Sequence, residues 1–124
     1  MQPEGPGVSG MDIKVSSRDG AAWVRLKGEF DLGAAADVEQ RLSQVEHHSP
    51  ETIVLDLRGL TFIDSTGLRT VIGADARARV DGRRLVVVPG PPTVHRVFRI
   101  ALLDQRLDFV EEDALSKGTG DAGD

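Results

Sequence analysis

Apolar and polar residues alternate twice near the start of the chain: Ile13 and Val15 stand between Asp12, Lys14 and Ser16, then Ala22, Val24 and Leu26 between Trp23, Arg25 and Lys27. A period of two marks half-buried strands, and Asp19-Gly20 between them is a hairpin turn signal. Trp23 falls on the less apolar face, which predicts packing under a helix or under the N-terminal extension, an exposed partner contact being the other reading. The rhythm then changes. Gly28-Glu29-Phe30-Asp31 reads as a loop carrying two carboxylates, and Ala35, Val38, Leu42 and Val45 follow at helical spacing. Asp31 or Gly33 caps this helix, which ends at His47, His48, Ser49 and Pro50.

Ile53-Val54-Leu55-Asp56-Leu57 is aliphatic at all positions but Asp56, as expected of a strand covered on both faces, and Arg58-Gly59 supplies a turn signal behind it. Leu68, Val71, Ile72, Ala76 and Val80 predict a second helix, capped by Asp64 or Ser65 and stopped by Asp81-Gly82. Leu85 to Val88 is a further buried strand. Pro89-Gly90-Pro91-Pro92 breaks the chain before a third helix marked by Val94, Val97, Phe98, Ala101 and Leu102, with Pro92 in its first turn. Leu107 and Phe109 predict a short last strand, and Glu111 to Leu115 a terminal helical turn. A helix-linked parallel strand is reached by a right-handed crossover, so the second strand and the central strand are neighbours. The fold class is therefore α/β: a mixed, mostly parallel sheet of four to five strands with an antiparallel edge hairpin, flanked by helices.

Composition narrows the function. The 124 residues make one domain, placed at residues 11–115 between a disordered N-terminal extension of residues 1–10 and a flexible tail of residues 116–124. A net charge of −5 argues against a general nucleic-acid or anionic-membrane surface. The absence of cysteine excludes disulfides and thiolate metal sites. Adjacent helical residues point about 100° apart, so His47 and His48 are expected to be a solvated helix end, and no metal site is assigned. No apolar run approaches membrane-spanning length and no signal pattern opens the chain, which makes a cytoplasmic protein the default expectation.

Ser65 stands at a strand-to-helix turn, where hydrolases place a nucleophile. Ile63-Asp64-Ser65-Thr66-Gly67 lacks the first glycine of a nucleophile elbow, and His95, the one base outside the adjacent pair, sits with Arg96 and Arg99 on a helix whose apolar face lies elsewhere. Pro89-Gly90-Pro91-Pro92 lacks the Lys-Ser/Thr sequel of a phosphate-cradling loop. A helix cap is sufficient to explain Ser65. Modification of Ser65 is the remaining chemistry, because a helix start tolerates a phosphate. At roughly 6 Å and an effective dielectric near 20, a doubly charged phosphate and a partner's carboxylate repel by about 5 kcal/mol before screening. A hundredfold loss of affinity needs about 2.7 kcal/mol.

Gly28-Glu29-Phe30-Asp31, Ile53-Val54-Leu55-Asp56-Leu57, Phe62-Ile63-Asp64-Ser65-Thr66-Gly67-Leu68 and Pro91 to Phe98 together resemble the anti-sigma factor antagonist (anti-anti-sigma) family of STAS domains. The resemblance spans about Met11 to Val110. It implies bacterial partner switching without catalysis by this chain: the unphosphorylated antagonist binds a serine-kinase anti-sigma factor and frees a sigma factor. Phosphorylation of Ser65 then releases it, and a metal-dependent serine phosphatase resets the cycle. By the same resemblance, Asp31, Asp64, Thr66, Gly67 and Leu68 form the docking surface, and ATP and magnesium belong to the kinase. The alternative is a regulatory module of the same fold, or a transport-associated subunit, holding a small anionic ligand or nucleotide at the helix start. The chain departs from the family after the third helix, where relatives have a Ser-Gly-Leu or Thr-Gly-Leu turn and this chain has Ala101-Leu102-Leu103.

Overall fold

Strands β1 (Met11–Arg18) and β2 (Ala21–Phe30) pair antiparallel, Arg18 opposite Ala21. The computed structural model describes residues 10–115, so the expectations for the extension through residue 9 and for the tail from residue 116 lie outside it. Asp19 and Gly20 close the hairpin with φ of 50° and 83°, the left-handed pair that a two-residue turn needs to match strand twist. Helix α1 (Leu32–His47) leads to β3 (Thr52–Ile63), α2 (Ser65–Asp81) to β4 (Arg84–Val88), and α3 (Pro92–Ile100) follows. The sheet order is β1-β2-β3-β4, with β2, β3 and β4 parallel. The expected mixed sheet is thus four-stranded, and the last strand reduces to one bridge between Val87 and Phe109.

Two strands run further than their punctuation implies. Gly28 to Phe30 belongs to β2, and Arg58-Gly59 lies inside β3 instead of ending it. The turn signal at Arg58-Gly59 is absorbed by a bulge: the register passes from Arg25 opposite Asp56 to Lys27 opposite Gly59. Glycine is required there because a Cβ at position 59 would stand 2.9 Å from the Leu26 carbonyl oxygen.

The main core lies between the sheet and the helices. Val24, Leu26 and Phe30 of β2 and Leu55 and Leu57 of β3 meet Val38 and Leu42 of α1 and Phe98 of α3. Helix α1 buries Ala34 completely and the expected Ala35 in part, both against the main core. Helix α2 is rotated from expectation: it buries Gly67, Thr70, Val71, Ala74 and Ala78, while Ile72 and Val80 are exposed. Small residues let this helix sit close to the sheet, and that contact outweighs burial of the larger aliphatics. Trp23 is buried on the opposite face of the sheet with Val54, Val86 and Val88, and the Arg18 guanidinium stacks on its ring at 3.9 Å. Its burial excludes the exposed partner contact, and the helical cover it has among the described residues is the short terminal turn. Val110 and Leu115, the latter in the expected terminal turn, pack against this smaller cluster.

Ala101 and Leu102 lie beyond α3. The N–H groups of Leu102 and Leu103 donate to the carbonyls of Arg99 (3.0 Å) and Phe98 (2.8 Å), closing the helix as a Schellman turn. Such a turn puts the residue after the cap in the left-handed region, and Leu102 occupies it with φ of 62°. The turn geometry therefore survives the departure from the family's glycine. Leu102 is exposed and its side chain contributes little, so Leu102→Gly is expected to raise stability by about 0.5–1 kcal/mol in urea denaturation, relief of left-handed strain exceeding glycine's entropy cost.

Candidate functional site

Parallel strands β2 and β3 end together, Phe30 opposite Ile63, and each hands its next residue to a helix as an N-cap. Asp31 and Asp64 are both extended, with φ of −122° and −112°. The Ala34 N–H donates to Asp31 Oδ1 at 3.2 Å. The Thr66 and Gly67 N–H groups donate to Asp64 Oδ1 at 2.9 and 3.0 Å. Two carboxylates thereby cap two helices at one end of the sheet, where the positive ends of the helix dipoles favour them. The ends are tied, since the Asp64 N–H donates to the Phe30 carbonyl at 3.2 Å.

Ser65 is the first residue of α2 and is exposed. Because Asp64 performs the capping, the Ser65 hydroxyl is not needed for it. Among the described residues none hydrogen-bonds that hydroxyl, and His95 packs instead against Phe98 and Phe109, its ring 4.7 Å from that of Phe109. Nothing here assembles a nucleophile and base. Thr66 is half-buried and its carbonyl accepts from the Thr70 hydroxyl at 3.0 Å. Leu68 is half-buried against the main core.

Gly67 is buried, and its role is packing. A Cβ there would lie 2.7 Å from Ile63 Cγ1, 2.8 Å from the Phe30 carbonyl oxygen and 3.1 Å from Phe30 Cγ. Gly67→Ala is expected to destabilise the fold by about 1–2 kcal/mol, overpacking exceeding the gain in helix propensity. Thermal denaturation by circular dichroism would show it as a lowered midpoint.

Two residues of this surface escape the sequence pattern. Leu32 is 73% exposed and Phe62 is 48% exposed, at the same end of the sheet as Asp31, Asp64 and Ser65. Leu32 precedes the buried face of α1. Phe62 is carried outward by the register shift that sets Gly28 opposite Leu60 but Glu29 opposite Phe62. Position in the helix would have indicated the first, since Leu32 falls off the Ala34-Val38-Leu42 stripe. The bulge that exposes the second has no sequence signal of its own. Acidic caps, an exposed hydroxyl and two uncovered apolar side chains thus share one end of the sheet.

An antiparallel hairpin leading a β-α-β-α-β series with parallel strands, and an exposed serine at the second helix start, define a small mixed α/β domain. A family profile described as "Mlab, STAS domain" matches residues 13–111. An anti-sigma F factor antagonist of Paenibacillus polymyxa is 31% identical over 88 residues, 70% of this chain and 75% of that one. The anti-sigma-F factor antagonist RsfB of Mycobacterium tuberculosis is 29% identical over 106 residues, covering 84% of this chain and 86% of RsfB. The crystal structure of an anti-sigma factor antagonist from Mycobacterium paratuberculosis superposes with a TM-score of 0.75 at 26% identity, over 86% of this chain and 92% of that one. The chain belongs to the STAS domain family, among the anti-sigma factor antagonists, a regulatory family. Among the described residues no helix is long and apolar enough to cross a membrane.

Proposed function

We propose that this chain is a cytoplasmic partner-switching protein that, unphosphorylated, binds a serine-kinase anti-sigma factor and frees a sigma factor for transcription. Phosphorylation of Ser65 releases it, and a metal-dependent serine phosphatase restores it. ATP and magnesium are supplied on the kinase, and this chain needs no cofactor of its own. The observation that carries this reading is the exposed Ser65 beside a cap made by Asp64 alone. Its hydroxyl accepts a phosphoryl group without removing either hydrogen bond of the helix start.

Docking involves Asp31, Asp64, Thr66 and Leu68, with Gly67 setting the seat of the helix, and the exposed Leu32 and Phe62 add apolar contact. A small anionic ligand held by the helix-start amides is disfavoured, because the Thr66 and Gly67 donors are already engaged by Asp64. Incubation with a kinase-type anti-sigma factor and ATP, followed by peptide mass spectrometry, tests the acceptor. Phosphate is expected on Ser65; phosphate on Thr66 with Ser65 unmodified would overturn the assignment.

A further inference from the structure

The two edges of the sheet differ. On the outer edge of β4 the Val87 N–H donates to the Asp108 carbonyl at 2.8 Å and the Val110 N–H to the Val87 carbonyl at 2.9 Å, so the segment 108–110 covers it. On β1 the Gly10 carbonyl accepts from the Glu29 N–H at 3.2 Å, which makes 10 and 29 a hydrogen-bonded pair. In an antiparallel ladder such pairs recur at every second residue, so Asp12, Lys14, Ser16 and Arg18 turn their backbone groups to β2. Ile13, Val15 and Ser17 then turn theirs outward.

A groove of about 430 Å³ runs along this edge, lined by Lys14, Val15, Arg18, Trp23, Arg25 and Arg41 among others. Four of these are cations and none of the described lining residues is acidic, in a chain whose net charge is −5. Arg25 bonds Asp56 at 3.3 Å and Arg18 lies 3.9 Å from Glu112. Lys14 and Arg41 have no ion pair among the described residues. Val15 is 40% exposed beside them.

We propose that the β1 edge is a second docking site, independent of Ser65, that takes an extended acidic segment of another protein by strand addition. Main-chain bonds to Ile13, Val15 and Ser17 supply the pairing. Alternation along the added strand sets one row of side chains toward Lys14, Arg18 and Arg25 and the other toward Ile13 and Val15. The fitting segment therefore alternates acidic and aliphatic residues. The cationic lining, with no acidic residue among the described ones, is matched by an acidic strand, whereas antiparallel self-pairing centred on Ser16 would set Lys14 opposite Arg18 of a second copy, like charges that destabilise a sheet.

The test titrates ¹⁵N-labelled full-length protein with the octapeptide (Glu-Val)₄ at about 0.1 M salt, where screening is moderate. Amide shifts concentrated at Ile13, Val15 and Ser17 are expected, with no response to (Lys-Val)₄ or to an oligothymidylate. Backbone N-methylation at alternate residues of the peptide should abolish binding. The double variant Lys14→Glu/Arg41→Glu should weaken it by about tenfold. Val15→Pro removes an outward N–H while leaving the β1–β2 ladder intact, and should block it. Ser65→Asp should leave it unchanged. No binding, binding that survives N-methylation or the charge reversal, oligothymidylate binding of equal strength, or self-association through this edge would each overturn the proposal.

Discussion

Arg58→Ala is expected to destabilise the fold by about 3 kcal/mol, the low end for stranding a buried charge. Asp56 is fully buried in the middle of β3, and Arg58 holds it with a 2.7 Å bond from Nη2, a 2.9 Å bond from Nε and a 3.1 Å bond from its backbone N–H. Truncation leaves the carboxylate with the backbone donor and Arg25 at 3.3 Å. The cations are half-exposed and can rehydrate, whereas the carboxylate cannot. Asp56→Val combined with Arg58→Ala should therefore recover at least about half of the loss, since an aliphatic pair avoids the desolvation of the ion pair. Urea titrations of the single and double variants measure this. A double variant less stable than Arg58→Ala would show that the carboxylate is not the source of the cost.

The same pair fixes a pH dependence. Burial pushes the Asp56 carboxyl up, but the side-chain and backbone hydrogen bonds of Arg58, with the charges of Arg58 and Arg25, outweigh it and hold the group below its ordinary value of 3.8. A lowered folded-state value means that its stabilisation is complete above that ordinary value and is lost as the pH falls through the folded one. Arg58→Ala removes the main opposing cause, so acid unfolding should move to higher pH.

The second large effect concerns docking. Phosphorylated protein is expected to bind the kinase-type anti-sigma factor at least about a hundredfold more weakly than unmodified protein, a loss of about 2.7 kcal/mol. Ser65→Asp, carrying one charge in place of nearly two, should weaken binding by about tenfold, and Ser65→Ala should leave it unchanged while abolishing phosphorylation. Fluorescence anisotropy at two salt concentrations reads both the affinity and its screening, and the differences should shrink as salt rises. Equal affinities for Ser65→Asp and wild type would sink the electrostatic mechanism.

Element order, strand direction and a cap at Asp64 or Ser65 were legible in the sequence because each rests on local chemistry: periodicity, turn residues and short polar side chains before helices. What was hidden depends on packing between elements. The face of α2 followed Gly67, Ala74 and Ala78 because close approach to the sheet outweighed the burial of Ile72 and Val80. Arg58-Gly59 looked like a stop because a bulge and a turn draw on the same residues. Phe62 became part of the candidate surface only through that strand's second irregularity. Ser65 itself was visible as a helix-start hydroxyl, but its freedom from capping is a fact of hydrogen-bond geometry.

Gly67 has a consequence beyond its own stability. By admitting Phe30 and Ile63 against the first turn of α2, and with the Asp64 N–H bound to the Phe30 carbonyl, it welds two strand ends and a helix into one joint. The serine is mounted on that joint and not on a loop. Under the proposed function a partner meets a surface that is already ordered, so little conformational entropy is lost on docking. In the proposed switch, the free energy of contact then goes into discriminating between two charge states of one fixed shape.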